Sequence, residues 1–232
     1  MLQAIVFDFD GVIVDSEPMH YQAFVMVGKS IGFSFTYEQY LAQYIGFDDR
    51  DAFRLMLATS GQEPTPDRVA ELCHQKQAAF DAVLDAAAAA DTGSENADAR
   101  SIAIPGSLDL IDECHAAGLP IAIASGATHA DIDLMLNLLG RRDRFEIVVA
   151  ADDVERSKPD PASYALAAQR LGVDPASALA IEDTAAGLRS ARGAGLRTLA
   201  LTTTGPAEPL ADADRLLPDL AGVTLEQLHA WY

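Results

Sequence analysis

The chain is short of cysteine, of lysine and of unbroken apolar length, and each shortage narrows what it can be. Its two cysteines, Cys73 and Cys114, lie far apart in separate helical patterns. That spacing argues against a disulfide framework and reads as buried or half-buried free thiols of a cytoplasmic protein. No apolar stretch is long enough for a membrane span. The first apolar run carries acids and has no basic region before it, so it does not read as a signal peptide. Basic residues number 16 against 35 acidic ones, a formal charge of −19. Such a surface repels nucleic acid and anionic membranes, so neither is an expected partner. It also repels phosphorylated small molecules, and a site for one needs a local positive centre. With half of its 232 residues hydrophobic, the chain can bury a sizeable core, as one large domain or a core plus a smaller one.

Against these shortages stands a pair of acids. Asp8 and Asp10 close the apolar run Gln3-Ala-Ile-Val-Phe-Asp-Phe-Asp-Gly11. Leu2 to Phe9 has the β-branched and aromatic content of a buried strand, with a glycine turn signal behind it. In open α/β sheets ligands sit outside the carboxyl ends of the strands, which is where this pair falls. Asp-Gly is also an ordinary turn dipeptide, so the pair alone does not decide.

Further strand patterns occur at Pro120–Ser125, Phe145–Ala150, Ala178–Asp183 and Leu196–Leu201, with a weaker one at Asp214–Leu217. Helical patterns at Ser107–Ala117, Ala130–Leu139, Pro161–Leu171 and Ala185–Ala194 separate them, several stopped by a glycine. The alternation predicts an α/β fold with a parallel sheet and right-handed crossovers. From Asp15 to about Arg100 the alternation stops and only helices are read: Ser16–Ile31, Thr36–Tyr44, Asp48–Thr59 and one starting at Thr65-Pro66-Asp67. This predicts a helical cap domain over residues 15–101 inserted into a core of residues 1–14 and 102–232. Ala86–Arg100 reads as a fraying helix end and a return linker, with hinges near Val14–Asp15 and Ser94–Ile104. Tyr37, Tyr40 and Tyr44 read as one packing face of a cap helix, and His74, His115 and His229 as surface or interface groups. Leu225–Tyr232 reads as a short helix docked on the core, and the expected state is a monomer or weak homodimer.

Four features fall at or just past strand ends: Asp8 and Asp10, Ser125-Gly126, Lys158, and Glu182-Asp183. A parallel sheet brings them to one edge. Four carboxylates in a small space repel one another, and a hard divalent cation relieves this. An oxygen-only, carboxylate-rich set suits magnesium, while the lack of His and Cys in these segments argues against zinc. Lys158, one of three lysines, sits in the proline-stiffened Ser157-Lys-Pro-Asp-Pro161. Lysine and cation together supply the missing positive centre. Ser125 and the Gly126 amide, at a strand-to-helix turn, can donate to an oxyanion. The parts describe a phosphoryl site.

The motifs Asp8-Phe-Asp10-Gly-Val, Ser125-Gly126, Lys158-Pro-Asp and Glu182-Asp-Thr-Ala-Ala-Gly187 resemble, in that order, those of the haloacid dehalogenase superfamily, in the branch with a helical cap after the first strand. The resemblance implies a Rossmann-like core, Asp8 as nucleophile and Asp10 as general acid and base. It implies a magnesium ion at Asp8, the Asp10 carbonyl and Asp183, with Glu182 beside it. Ser125 and Lys158 would hold the phosphate.

Three reactions compete within that resemblance: a phosphatase, a β-phosphoglucomutase-like phosphosugar mutase, and a dehalogenase. A dehalogenase needs no metal and gives Asp10, Glu182 and Asp183 no obvious role. Mutase-like enzymes carry a lysine three residues after the motif serine, where this chain has Thr128 followed by His129. Their cap arginine lies three residues after a glycine, whereas Gly46-Phe-Asp-Asp-Arg50 places it one position later. Both departures favour the phosphatase acting on a sugar phosphate or phosphoglycolate-like metabolite. His20, Gly46 and Arg50 are the cap candidates for substrate recognition. His20 could instead be a satisfied helix histidine, and Arg50 an exposed partner of Asp48 or Asp51. A non-catalytic regulator that binds a phosphometabolite is the alternative from another class.

Overall fold

The structure, a computed structural model, describes residues 2–44, 49–90 and 102–232, with the backbone alone for residues 85 and 87–90. Six strands, β1 (Ala4–Phe7), β2 (Ile121–Ala124), β3 (Ile147–Val149), β4 (Ala178–Glu182), β5 (Arg197–Leu201) and β6 (Arg215–Leu217), form one parallel sheet in the order β3-β2-β1-β4-β5-β6. The chain winds outward from β1 through β2 to β3, then returns to the other side of β1 and winds out through β4 to β6. The reversal between β1 and β4 opens a crevice at their carboxyl ends, the usual ligand position in such sheets.

Apart from the exposed edge strand β6, the sheet is buried on both faces, and the two faces differ in size. Paired positions Ala4, Val6, Ala122, Ala124, Ala178 and Ala180 make one face small, so that Tyr164, Ala167 and Ala168 pack close against it. The alternate positions, Ile5, Phe7, Ile121, Ile123, Leu179 and Ile181, make the other face bulky, with Phe145 edge-on to Phe7 at 6.2 Å. The period-2 alternation within each strand sorts residues this way.

Between β1 and β2 lie α1 (Glu17–Gly28), α2 (Tyr37–Gln43), α3 (Asp49–Thr59) and α4 (Pro66–Ala90). The core helices are α5 (Ser107–Ala116), α6 (His129–Leu138), α7 (Ala162–Leu171), α8 (Ala185–Gly193) and α9 (Leu225–Trp231). Threonine caps α2, α6, α8 and α9, its hydroxyl accepting from the third helical N–H in each. The helix expected over Ser16–Ile31 is in two parts: α1 ends at Gly28, and Lys29–Ile31 tightens into a 3-10 turn before Gly32. The first strand is shorter than Leu2–Phe9, because Phe9 N–H turns to the Asp8 carboxylate and Val12, Ile13 and Val14 N–H all point to the Phe9 carbonyl. Asp8 therefore follows the strand, and Asp10 sits in the turn.

The residues divide into two compact units, Met1–Asp15 with Asn96–Tyr232, and Ser16–Glu95. At their border Asp15 N–H donates to Ile102 C=O at 2.7 Å and Ile104 N–H to Ile13 C=O at 2.9 Å, so the two passages of chain run side by side. Of the fraying helix end and linker expected over Ala86–Arg100, the backbone is helical through Ala90, where α4 ends, and residues 91–100 lie outside the described residues. The helical unit has its own core, with Phe24, Phe35, Tyr40, Tyr44, Phe53, Met56, Leu72 and Phe80 buried. Tyr37, Tyr40 and Tyr44 belong to this aromatic packing, as their spacing predicts. His74, His115 and His229 are exposed. In the other unit α9 buries Leu225 and Leu228, and Trp231 stacks under Arg215 at 4.1 Å. Both cysteines are free, Cys114 buried and Cys73 half-buried. Among the described residues no helix is long and apolar enough to cross a membrane.

Candidate active site

The crevice between β1 and β4 receives Asp8 from one strand and Glu182 and Asp183 from the other, all three buried. One ligand oxygen from each lies within 4.8 Å of the others. Lys158 reaches them from the β3–α7 connection, its Nζ 2.8 Å from Asp8 Oδ1 and 2.6 Å from Glu182 Oε1. Phe9 N–H donates to the same Asp8 oxygen at 2.7 Å, which fixes the carboxyl's rotation.

Glu182 is fully engaged. Its Oε1 accepts from Lys158 and from Tyr164 Oη at 2.9 Å, and its Oε2 from the N–H groups of Asp183 and Thr184 at 3.1 Å and from Thr184 Oγ1 at 3.0 Å. Burial alone would raise its pKa, but Lys158 and these donors outweigh that and hold the carboxyl below its ordinary value. Asp8 goes the other way: burial first, then Glu182 and Asp183, push it well above the ordinary range despite Lys158. Burial and the Glu182 charge push Asp183 up to about 7. Burial works against the Lys158 charge, but Asp8 and Glu182 outweigh it and keep the amine protonated.

Asp183 Oδ2 accepts from Thr204 Oγ1, while its Oδ1 is buried without a partner among the described residues. An orphaned carboxylate oxygen beside two more carboxylates fits a hard cation, since burying it otherwise costs about 1–3 kcal/mol. The count of charge agrees. With all three carboxylates ionised, as an ion would hold them, they and the one lysine leave the buried site two positive charges short of neutral. Asp10, half-buried in the turn, is near enough to act on Asp183 electrostatically.

Two glycines permit the close approach. A Cβ at Gly187 in α8 would stand 1.7 Å from Glu182 Oε1, and one at Gly11, whose φ is +72°, 2.0 Å from Asp183 Oδ2. Beside the carboxylates, Ser125, Gly126, Ser157, Lys158 and Ser163 line a cavity of about 210 Å³. Ser125 Oγ accepts from Ala127 N–H at 3.0 Å, which tightens the loop after β2.

The predicted Asp8, Lys158, Glu182 and Asp183 thus touch, and Ser125 and Gly126 share a cavity with Lys158. The cap candidates lie in the other unit. His20 is half-buried; its ring stacks on Phe80 at 4.3 Å, and Lys76 Nζ lies 2.9 Å from its Nδ1. Burial, then Lys76, pushes His20 down to about 3, so the ring is neutral with Nδ1 accepting. Arg50 is exposed on α3, and Gly46 lies outside the described residues. Sequence reasoning passed over Tyr164, Thr204 and Lys76. Lys76 is buried in α4, held by Asp49 at 3.0 Å and between the rings of Phe24 and Phe80. Its signal was a lysine on the apolar stripe of a helix. Thr204 follows the carboxyl end of a strand, the same cue that pointed to Asp8.

The family model described as haloacid dehalogenase-like hydrolase matches residues 5–201. The chain belongs to this family. Among the relatives of this haloacid dehalogenase-like hydrolase, the protein CbbY of Rhodobacter capsulatus is 30% identical over 233 residues, covering 98% of this chain and 97% of its own length. The validoxylamine A 7'-phosphate phosphatase of Streptomyces hygroscopicus subsp. limoneus is 29% identical over 223 residues, 96% of each chain. A crystal structure of a mutant CbbY from Rhodobacter sphaeroides in complex with xylulose-(1,5)bisphosphate matches with a TM-score of 0.79 at 30% identity, over 98% of this chain and 99% of the other.

Proposed function

We propose that the protein is a magnesium-dependent phosphatase that hydrolyses a small phosphorylated metabolite of the sugar-phosphate class through an aspartyl phosphate on Asp8. The observation that carries this reading is the contact of Lys158 with Asp8 beside the unpartnered oxygen of Asp183. It gives one nucleophile, one fixed cation and one vacant ligand atom in the crevice. The relatives named above, one a phosphatase and one in complex with a sugar bisphosphate, agree in substrate class.

Asp8, Asp183 and the Asp10 carbonyl would hold the ion. When bound, magnesium offsets the charge on the phosphoryl oxygens and closes the site's charge deficit. Asp8 attacks phosphorus in line, and the P–O bond to the leaving group breaks. Asp10 protonates the departing alkoxide, then takes a proton from the water that attacks the aspartyl phosphate, which restores Asp8 and releases inorganic phosphate. Asp10 must carry its proton at the first step. Lys158, Ser125 and the Gly126 amide hold the non-reacting oxygens. Glu182 acts through Lys158, because its own oxygens are all taken.

One observation favours hydrolase over mutase. Thr128, at the position where the mutase-like enzymes carry a lysine, is committed to the helix start: its Oγ1 donates to Asp131 Oδ2 at 2.7 Å and accepts from Asp131 N–H. No second phosphate holder stands there.

The test is phosphate release from a panel of phosphosugars with magnesium and with EDTA. Turnover should require magnesium and vanish in Asp8→Asn, with Asp10→Asn strongly reduced. Normal turnover by Asp8→Asn would end the reading. Formation of a 6-phosphate from a hexose 1-phosphate with a trace of bisphosphate would select the mutase.

A further inference from the structure

The segment Thr202-Thr203-Thr204-Gly205 follows β5 directly, at the same sheet edge as Asp8 and Asp183, and no motif of the phosphoryl site includes it. Thr203 Oγ1 donates to the Gly11 carbonyl at 2.5 Å, across 192 positions of sequence. Thr204 Oγ1 donates to Asp183 Oδ2. Thr202 N–H is held by Leu217 C=O of β6 at 3.0 Å, so the segment is anchored at its base. Its packing is tight: a Cβ on Gly11 would stand 2.8 Å from Thr204 Cγ2 as well as 2.0 Å from Asp183 Oδ2. Gly11, Asp183 and Thr204 thus form one contact.

A carboxylate has two equivalent oxygens, and a rotation about its last bond exchanges them. In a crowded acidic site that freedom weakens a metal ligand, because each rotation moves charge toward a neighbouring acid. A hydroxyl donor on one oxygen removes the degeneracy. Here the donor sits on Oδ2 and the unpartnered atom is Oδ1.

We propose that Thr204 is a positioning residue for the metal site: its hydroxyl locks the Asp183 carboxylate so that Oδ1 is the free ligand atom, with Thr203 pinning the same segment to the Gly11 turn. The proposal rests on the magnesium reading above and adds a residue to it. Thr204 touches neither phosphate nor ion; it acts through Asp183. Groups that orient metal ligands commonly contribute 10- to 100-fold in metal affinity, which sets the effect to look for.

The experiment measures magnesium affinity directly, by calorimetric titration of the full chain and by the rise in melting temperature with magnesium, alongside kcat and KM for a phosphomonoester. Thr204→Val removes the hydroxyl and keeps the shape; it should weaken magnesium at least about tenfold. At saturating magnesium its KM for substrate should stay within about twofold, because the loss lies in the metal and not in the phosphate contacts. Thr204→Ser restores the donor and should bind magnesium within about threefold of the parent, since the hydroxyl is what matters. Asp183→Asn is the control for the metal reading itself. If Asp183→Asn loses magnesium while Thr204→Val keeps it, the positioning role is wrong and the metal site stands. If Asp183→Asn binds magnesium normally, the underlying reading fails. Should Thr204→Val not fold, Thr204→Ser decides alone: affinity lost in the serine variant assigns the effect to the methyl group and overturns the proposal.

Discussion

Replacing Gly187 by alanine should destabilise the protein even though alanine is the better helix former. In an exposed helix interior the change stabilises by about 1 kcal/mol. At Gly187, however, the new methyl would stand 1.7 Å from Glu182 Oε1, 1.9 Å from its Cδ and 2.1 Å from Oε2. Either α8 shifts outward or the carboxylate moves. The carboxylate is fixed by five donors, among them Lys158 at 2.6 Å. Breaking a buried ion pair costs about 3–5 kcal/mol. The propensity gain offsets little of that, so the net loss is about 2–4 kcal/mol. For a chain of this size each kcal/mol moves the melting temperature by about 2–4 °C, so a fall of roughly 5–15 °C is expected in a thermal scan without magnesium. Lys158 loses its holder at the same time, and kcat/KM should fall at least about tenfold, as about 1.4 kcal/mol of lost positioning requires. A variant that melts at or above the parent temperature with unchanged kcat/KM would refute the close packing of α8 on Glu182.

Two further outcomes test other parts of the structure. Tyr164→Phe removes a fully buried hydroxyl that donates to Glu182 Oε1, and should lower stability by about 1–3 kcal/mol with an unchanged denaturant slope, read as a shift in urea midpoint. Asp153 is held down to about 2, burial being outweighed by Arg170, Ala150 N–H and His129. A lowered carboxylate stabilises above its unfolded pKa near 3.9 and loses that contribution as pH falls through 2. The urea midpoints of parent and Asp153→Asn should therefore differ at pH 6 and converge as pH falls from 4 toward 2; a gap that stays constant would show that the ion pairs of Asp153 contribute no linked stability.

Much of this architecture was legible in the sequence because it is local or periodic. The Ala/Ile alternation in Ile121-Ala-Ile-Ala124 and Ala178-Leu-Ala-Ile181 both marks strands and sorts the two sheet faces. Thr36 three residues before Gln39 announces a helix start, and the capping box is there. The strand-end rule found Asp8, Ser125, Lys158, Glu182 and Asp183 because parallel topology collects such residues whatever their spacing. What stayed hidden depends on contacts between distant segments. Tyr164 reads as one more apolar residue of α7 until Glu182 is known to lie under it. Lys76 occupies a stripe position that pattern alone assigns to a leucine, and only Asp49, His20, Phe24 and Phe80 together make its burial tolerable. Thr203 and Thr204 meet Gly11 and Asp183 only after the sheet has formed.

The same topology explains how a chain of charge −19 can hold a phosphate. Long-range potential works against the substrate, so affinity must come from groups acting within a few ångströms, where burial magnifies each charge. The fold spends a single lysine on this and makes it strong by fixing it between Asp8 and Glu182 in the crevice. A lone lysine on three carboxylates could not attract an anion, because with all three ionised the site is two charges negative. On the proposed function, a divalent ion at Asp183 would bring the sum to zero, and only then would Ser125, the Gly126 amide and Lys158 face a phosphate without opposing charge. Metal binding and substrate binding are therefore expected to be coupled, by the same factor in each direction. Substrate affinity should collapse on chelation, and the carboxylate cage, already built by Phe9, Thr184, Tyr164 and Thr204, should bind the ion without substrate but more weakly, by the factor the ion gives to substrate.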